Sequence, residues 1–457
     1  MAIWSAKLLS ILFILFGLAM GGCQAHRVDL SPNPLKGQKA SFSATSTVPE
    51  RSENDWWTAF GDAKLDDLIQ RSLDGNLDVL RAIARLDQAT ALTRQAEALR
   101  LPLLDIETGA EKEWIDSDSQ KRNLRAGGAL SWEIDVFNRI GFAALARQSE
   151  QMARAEDVEA VRLSLSAEVA GAYYDAISQR RQLALLQRQI DVDRNLLELT
   201  ELRFNGGLSA SVDVLQQSSQ LAETESLVPP TEAALRLSEN RLDVLIGEAP
   251  DARNRVDDED AFANIEALPF LGVPSDLLLN RPDLRALQAE LVAADADIGR
   301  AIAERLPRIT LEGAYYYEDG PVFTGPAAFL LGSLVQPLLD WGARKAEVER
   351  NRALYVERLA VFSQAYLEAI EEVENALYQE RKQRVFLSRL EDRRRILAKT
   401  VEETRDRYTS GLTDFLPVLN ALQELQRLER VILRQQRDLI GFRIRLHRAL
   451  GGAVAAS

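Results

Sequence analysis

The side chains that most often do chemistry in proteins are scarce in this 457-residue sequence, which has one cysteine, Cys23, and two histidines, His26 and His447. Its sequence contains no glycine-rich phosphate loop and no nucleophile elbow, so the usual signatures of phosphoryl and acyl transfer are missing. Aspartate and glutamate are plentiful, but on helical faces they are by default solvated or paired with bases. We therefore predict no enzyme, no bound cofactor and no metal site.

The position of Cys23 points instead to covalent lipidation. Lys7 is followed by a thirteen-residue stretch, 8–20, whose only polar residue is a serine. Such a stretch is too short for an ordinary membrane-spanning helix and is typical of a secretory signal. We predict a signal peptide over 1–22 and an N-terminal tether over 23–55.

The residues around Cys23 resemble a bacterial lipobox. Met20-Gly21-Gly22 precedes the cysteine, which in this setting receives a diacylglycerol and an N-acyl chain and becomes the mature N-terminus. These chains would anchor the protein securely, because each buried CH₂ contributes ~0.8 kcal/mol. The residue after the cysteine is Gln24 and not an aspartate, and in the bacterial lipoprotein pattern this resembles the signal for sorting to the outer membrane. The alternative is an ordinary secretory signal whose cysteine stays free.

Composition narrows the class of protein further. Apolar residues make up 46% of the chain, which is enough for a large core, and charged residues make up 27%. A polytopic helical membrane protein is excluded because it needs repeated long uncharged stretches. The formal net charge is −14, which argues against a nucleic-acid binder, because such a protein needs a basic surface to contact phosphates. We expect no nucleic-acid partner.

Two halves of the chain carry the same landmarks in the same order, which indicates an internal duplication. We predict repeats over 56–250 and 273–451, with a linker over 251–272 and a tail over 452–457. Each landmark of the first half returns 204 or 205 residues later. The pairs are Asp78 with Asp283, Pro102 with Pro307, Asp135-x-x-x-Arg139 with Asp340-x-x-x-Arg344, and Arg203-Phe204-x-x-Gly207-Leu208 with Arg407-Tyr408-x-x-Gly411-Leu412.

Each repeat contains a very long segment without helix breakers. Residues 343–410 lack both Gly and Pro, and residues 143–204 contain only Gly171. Such segments are helical by propensity, and at 1.5 Å per residue they form rods of roughly 90–100 Å. In the returning helix of the first repeat, Pro229-Pro230 predicts a break. Apolar residues at alternating three- and four-residue steps form a coiled-coil seam: Tyr355, Leu359, Phe362, Tyr366, Ile370, Val373 and Leu377.

A pair of strands precedes each long helix, at about 102–137 and about 307–340. A period of two sorts them into an apolar and a charged face, although residues 329–339 are apolar on both. Strands of about ten residues with this alternation are typical of transmembrane barrels; a half-buried soluble sheet alternates in the same way. In a barrel the lumen-facing residues would be Asp105, Glu107, Glu133, Asp135 and Glu312.

The barrel interpretation requires an oligomer. Two strand pairs give four strands per chain, and an open sheet edge cannot face hydrocarbon because its amides would lack partners. Four strands are also too few to enclose a lumen. Two chains would give an eight-stranded barrel filled by side chains, and three would give twelve strands and a passage. Strand count favours an oligomer without choosing three.

These features together resemble the TolC-like outer membrane efflux proteins, in particular their NodT-type lipoprotein branch. The resemblance covers nearly the whole mature chain. Its most specific stretches are Trp56-Trp57-x-x-Phe60-x-Asp62-x-x-Leu65, Asn76-Leu77, Ala82-x-Ala84-Arg85, Arg281-Pro282-Asp283-Leu284 and the two glycine turns. It implies a mainly α fold with a small transmembrane β part: in a homotrimer, a twelve-stranded β-barrel continued by a long α-helical coiled-coil barrel.

The resemblance also implies a function and partners. The chain would be the exit duct of a tripartite efflux system in the outer membrane of a Gram-negative bacterium, and would pass small molecules without an energy source of its own. Its partners would be a periplasmic adaptor and an inner-membrane pump, which the resemblance implies to be of the resistance-nodulation-division type. The alternatives are a duct for protein or peptide secretion, and a periplasmic coiled-coil lipoprotein without a pore.

The glycine turns at the ends of the long helices hold the remaining candidate sites. Gly207 and Gly411 supply left-handed turns. The returning helices can be capped by Asp213 or Ser211 in the first repeat and by Thr413 or Asp414 in the second. The resemblance implies that these turns close the tunnel and contact the adaptor through Arg203, Phe204, Gly207, Leu208, Asp213, Arg407, Tyr408, Gly411, Leu412, Thr413 and Asp414.

The tip departs from the family pattern at one position. Thr413 stands where the family has an arginine, which argues against a lock between aspartate and arginine. Asp414 would instead form a ring of three carboxylates in a trimer, and such a ring admits cations and resists anions. Plain helix capping by Asp414 is the alternative.

Overall fold

The computed structural model describes residues 25–32, 41–44, 55–116, 119–265, 267–320 and 323–452. The predicted signal peptide, Cys23 and most of the tail lie outside the described residues. The chain forms two compact units, each of which draws on both sequence repeats. We call them the strand unit (1–36, 83–157 and 283–365) and the helical unit (37–82, 158–282 and 366–457).

The elements follow the order predicted for each repeat. Both long helices are present, α3 and α8 below, with 67 residues each. The strands lie within the predicted ranges, but the second strand of each pair ends at Ile134 or Val335, before the predicted ends at about 137 and 340. In chain order the elements are α1 Ala63–Gly75, α2 Leu77–Ala98, β1 Leu103–Asp116, β2 Ser119–Ile134, α3 Arg139–Asn205, α4 Ser211–Ser226, α5 Val228–Leu245, α6 Leu277–Asn280, α7 Pro282–Ala303, β3 Arg308–Asp319, β4 Thr324–Val335, α8 Ala343–Thr409 and α9 Phe415–Ala449.

The strand unit contains a four-stranded antiparallel sheet in the order β1-β2-β3-β4. Directly opposite residues of neighbouring strands point to the same face. Leu104 lies opposite Leu130, and Trp132 lies opposite Leu311, so one face of the sheet is apolar. Its larger side chains are Leu104, Ile106, Leu130, Trp132, Leu311, Tyr315, Tyr317, Leu330 and Leu334.

The returning helix of the first repeat is split, as predicted. Helix α4 ends at Ser226 and α5 begins at Val228. Pro229 and Pro230 therefore fall in the first turn of α5, where a missing N–H removes no helical hydrogen bond. The seam residues of α8 are buried or half-buried. Among the described residues, no helix combines the length and the apolarity needed to cross a bilayer.

A histidine is stacked inside an aromatic cluster of the helical unit. The rings of His447 and Trp56 lie 5.4 Å apart at an angle of 28°, and Phe60 packs against both. The indole N–H of Trp56 donates to the Ser166 hydroxyl at 3.0 Å. Burial, assisted by the positive charge of Arg443, lowers the pKa of His447 to about 3.

Acid should therefore destabilise the helical unit through His447. The unfolded chain protonates this imidazole near pH ~6.5, whereas the folded chain does so only near the lowered pKa of about 3. The stability present above the unfolded pKa is lost as the pH falls below it, by about 2 kcal/mol at pH ~5. His447→Phe keeps an aromatic ring against Trp56 but cannot titrate.

The drop in melting temperature between about pH 7.5 and about pH 5 should thus be smaller in His447→Phe than in the wild type. The comparison cancels the titration of all other groups, because both proteins share them. Equal drops in the two proteins would show that His447 does not contribute to the acid sensitivity.

Candidate functional site

The second face of the sheet carries carboxylates. Asp105 and Glu107 are exposed on β1, and Glu312 is exposed on β3. Leu103, which shares a face with Asp105, lies opposite Ser131, and Ser131 lies opposite Glu312. The register therefore brings these three predicted lumen residues to one face, opposite to the apolar one.

Glu133 lies on the same face, but its charge is paired. Arg139 donates two hydrogen bonds to its carboxylate, at 2.9 and 2.8 Å, and this bidentate geometry is the strong form of the ion pair. The guanidinium of Arg308 lies 3.8 Å away. Glu133 therefore adds less negative potential to the face than its sequence position predicts.

The prediction that Asp135 is a strand residue is wrong. Strand β2 ends at Ile134, and the left-handed backbone of Asn138, with φ of 60°, turns the chain into α3. The Asp135 carboxylate accepts the Gly141 N–H at 2.7 Å, in the first helical turn, where free amides and the helix dipole favour negative charge. Its repeat counterpart Asp340 likewise accepts two backbone N–H groups at the start of α8.

Both long helices end in the same Schellman motif, in which two backbone N–H groups return to the last helical carbonyls. Gly207 and Gly411 each have a φ of 73°, which glycine adopts without the steric cost that a Cβ atom brings. The bonded pairs, with N···O distances from 2.8 to 3.0 Å, are Leu208 with Arg203, Gly207 with Phe204, Leu412 with Arg407 and Gly411 with Tyr408.

Side chains link the two turns. The Arg203 guanidinium lies 4.5 Å from the centre of the Tyr408 ring and donates to the Thr409 carbonyl at 3.1 Å. The Ser209 hydroxyl donates to Asp213 at 2.6 Å and lies 3.3 Å from the Tyr408 hydroxyl. We call Arg203, Tyr408, Ser209 and Asp213 the tip network. The part played by Ser209 was not predicted from the sequence.

Two of the predicted caps behave differently. Asp213 reaches back from the first turn of α4 and accepts the Ala210 N–H at 3.2 Å, as predicted. Asp414 is exposed at the N-cap position of α9. Within the described part of the chain its carboxylate accepts no capping hydrogen bond. The tip network takes its guanidinium from Arg203, and Thr413 is half-buried.

The other predicted tip residues divide by exposure. Phe204, Leu208, Arg407 and Leu412 are exposed at the two turns. Tyr408 is buried in an apolar cluster. The buried residues of that cluster are Leu196, Tyr408, Phe415, Val418, Leu419 and Leu422. The turns are therefore anchored by a packed core and present apolar and basic side chains outward.

A buried polar cluster joins α3, α4 and α9. Asp193 accepts hydrogen bonds from Thr224 at 2.7 Å and from Gln426 at 2.8 Å, and Gln220 donates to Gln426 at 3.1 Å. Burial raises the pKa of Asp193, and the hydrogen bonds oppose that rise. The cluster could have been predicted from Gln217, Gln220 and Thr224, because their spacing puts these polar residues on one helical face. Among the described residues, no group of three or more His, Cys, Asp or Glu could hold a metal ion.

Comparison with known proteins defines the class to which this architecture belongs. The family described as outer membrane efflux protein matches the chain twice, over residues 68–248 and 273–452. The chain belongs to the outer membrane efflux protein family. The resemblance found in the sequence, the fold class and the outer-membrane location are thereby confirmed.

Individual relatives agree with this assignment. Nodulation protein T of Rhizobium leguminosarum bv. trifolii is 28% identical over 431 residues, covering 90% of each chain. The pyoverdine export outer membrane protein OpmQ of Pseudomonas aeruginosa is 28% identical, covering 95% of each chain. The solved structure of the outer-membrane channel OprN superposes with a TM-score of 0.86 at 27% identity, over 92% of this chain and 98% of that one.

Removing the Asp193 carboxylate should destabilise the helical unit. Asp193→Ala leaves the Gln426 amide without this acceptor, whereas the Thr224 hydroxyl keeps the Gln220 carbonyl at 3.1 Å, and an unsatisfied buried group costs about 1–3 kcal/mol. Asp191→Ala is the matched control, because Asp191 is exposed on the same helix and surface changes stay within about 0.5 kcal/mol. Thermal unfolding of the two variants measures the difference. Equal melting temperatures would show that the cluster does not support the hairpin.

Proposed function

We propose that this chain is one subunit of a homotrimeric exit duct in a tripartite efflux system. In this proposal four strands from each of three copies close a twelve-stranded barrel, and the long helices prolong the passage. The observation that carries the proposal is the sheet itself. Among the described strands, β1 and β4 each have a neighbour on one side only, and an open edge in hydrocarbon would leave amides unsatisfied.

The two faces of the sheet support the same arrangement. Asp105, Glu107 and Glu312 share one face, and the opposite face is apolar. A barrel whose apolar face meets lipid and whose charged face lines water satisfies both sets of side chains. Two copies would give eight strands, a number whose interior is filled by side chains, whereas twelve leave room for a passage.

The partners follow from the relatives. OpmQ is named for pyoverdine export, which favours small-molecule cargo over protein or peptide secretion. The family to which this chain belongs favours a duct over a coiled-coil lipoprotein without a pore. The partners would be a periplasmic adaptor and an inner-membrane pump of the resistance-nodulation-division type. The exposed Phe204, Leu208, Arg407 and Leu412 at the turns are suited to contact the adaptor.

The tip network would act as part of the closure. Arg203, which is half-buried, and Tyr408, which is buried, lie on different long helices and are held by a cation–π contact, worth about 1–2 kcal/mol between the exposed and the desolvated limits. Such a contact is weak enough to break when an adaptor binds. Asp414, exposed and without a capping bond in the described part of the chain, would contribute one carboxylate per subunit to a ring that favours cations.

The lipid anchor at Cys23 would lie close to the strand unit. The described chain resumes at residue 25, and His26 lies 2.6 Å from Asp295 of α7, which also accepts the Asp29 N–H at 2.8 Å. Three residues of extended chain span at most about 11 Å. The anchor of an acylated Cys23 would therefore lie within that reach of His26.

Single-channel recording in planar bilayers tests the duct and the ring together. Wild-type protein should give step conductance with a preference for cations, and Asp414→Asn should lower the cation-to-anion permeability ratio about two-fold or more. Glu259→Gln, an exposed carboxylate in the linker, is the control and should leave the ratio unchanged. Absence of any conductance, even after the two glycine turns are removed, would contradict the duct, whereas conductance with an unaltered ratio in Asp414→Asn would contradict only the ring.

Replacing the cysteine tests the anchor. Cys23→Ser should abolish labelling by radioactive palmitate and release the protein more readily from membranes, because the acyl chains supply the anchoring energy. Gln24→Asp is the control: it should keep the label and alter only the destination. Undiminished labelling of Cys23→Ser would refute the lipidation site.

A further inference from the structure

Both free edges of the sheet lead into exposed apolar segments at the same end. After β4, the side chains of Leu338, Leu339 and Trp341 are 91%, 72% and 90% exposed. Before β1, Leu99 and Leu101 are 61% and 68% exposed. We call residues 338–341 the β4 foot and residues 99–102 the β1 foot. Large apolar side chains exposed to this extent in a cluster mark a contact surface.

The antiparallel order fixes which end the two feet share. Strands β1 and β3 begin at the end of the sheet where β2 and β4 finish. A line perpendicular to the strands from Leu103 passes through Ser131, Glu312 and Leu331, and β4 continues below that line to Val335. A second copy whose β1 continued this stagger along β4 would bring its β1 foot beside the β4 foot.

The duplication provides an internal copy of this contact. The 205-residue offset relates Leu101 to Leu306 and Trp341 to Val136. Inside one chain, Leu306 at the start of β3 and Val136 after β2 line one small pocket and are half-buried. The β2–β3 junction is thus already packed by residues whose counterparts at the free edges are exposed.

Bonds at equivalent positions of the two repeats hold the β1 foot and the chain just before the β4 foot. The Trp132 indole N–H donates to the Arg100 carbonyl at 3.0 Å, and the Gln336 amide donates to the Arg305 carbonyl at 3.2 Å. Trp341 has a left-handed φ of 54°, which is uncommon for a bulky residue. A segment ordered before contact loses less entropy when a partner covers it.

We propose that the β4 foot of each subunit packs against the β1 foot of the next copy, forming an apolar lock at each subunit boundary. Trp341 and Leu339 are its main contacts on one side, and Leu101 and Leu99 are its main contacts on the other. This inference rests on the proposed trimer, but it adds a specific boundary contact that a trimer does not by itself require.

Cysteine crosslinking tests the lock. The double variant Leu101→Cys/Leu339→Cys, treated with a short bismaleimide, should give covalent dimers and trimers on denaturing gels, whereas each single variant should stay monomeric. The matched control is Leu101→Cys/Leu330→Cys. Leu330 is equally exposed on β4 but lies five residues before its end at Val335, about 16 Å along the strand, and should not crosslink.

A second measurement guards against loss of folding in the double variant. Trp341→Ser should lower the temperature at which the trimer dissociates in mild detergent by several degrees, whereas Tyr315→Ser, on the apolar face of β3, should leave it unchanged. An intact trimer with no crosslink and no shift would overturn the lock and leave the duct standing. Strong quenching of a fluorophore on Trp341→Cys by brominated lipid would also overturn it, because lipid would then cover the foot. A protein that remains monomeric would overturn both proposals.

Discussion

Backbone amides and carbonyls need hydrogen-bond partners, and hydrocarbon offers none. This constraint governs the strand unit, since among the described strands β1 and β4 each lack a neighbour on one side. Pairing those edges between copies satisfies the backbone and orients both faces of the sheet at once. The remaining contacts of the unit order the chain next to the edges: Asp135 and Asp340 fix the starts of the two long helices, Trp132 holds the β1 foot, and Gln336 holds the chain just before the β4 foot.

The helical unit meets the same need for partners within one chain. Its long helices finish in Schellman turns that satisfy their last carbonyls, and the buried Asp193 cluster satisfies the polar groups between three helices. These features make the long helices and the helices that return from their turns rigid. By contrast, the contact of the half-buried Arg203 with the Tyr408 ring joins two different long helices through a single pair of side chains. An opening movement would therefore change the tip network before it disturbed the turns or the cluster.

Much of the fold could be predicted because its signals are local or periodic. The absence of breakers predicted the 67-residue helices, alternation predicted the strands, and the repeat predicted the twin glycine turns. The predictions failed where a side chain has more than one possible hydrogen-bond or ion-pair partner. Asp135 alternates correctly with its neighbours, but it caps α3 because the chain leaves the sheet at Ile134. Likewise, pairing of Glu133 with Arg139 and satisfaction of Asp193 by helices far apart in sequence depend on tertiary positions that no spacing rule contains.

The mass of the purified complex in detergent, measured by native mass spectrometry, tests the central claim most directly. Pairing of β1 with β4 of the next copy predicts a complex of three chains that persists without crosslinking. A single-chain mass for a correctly folded, membrane-extracted protein would contradict the account, because both sheet edges would then be open in the bilayer.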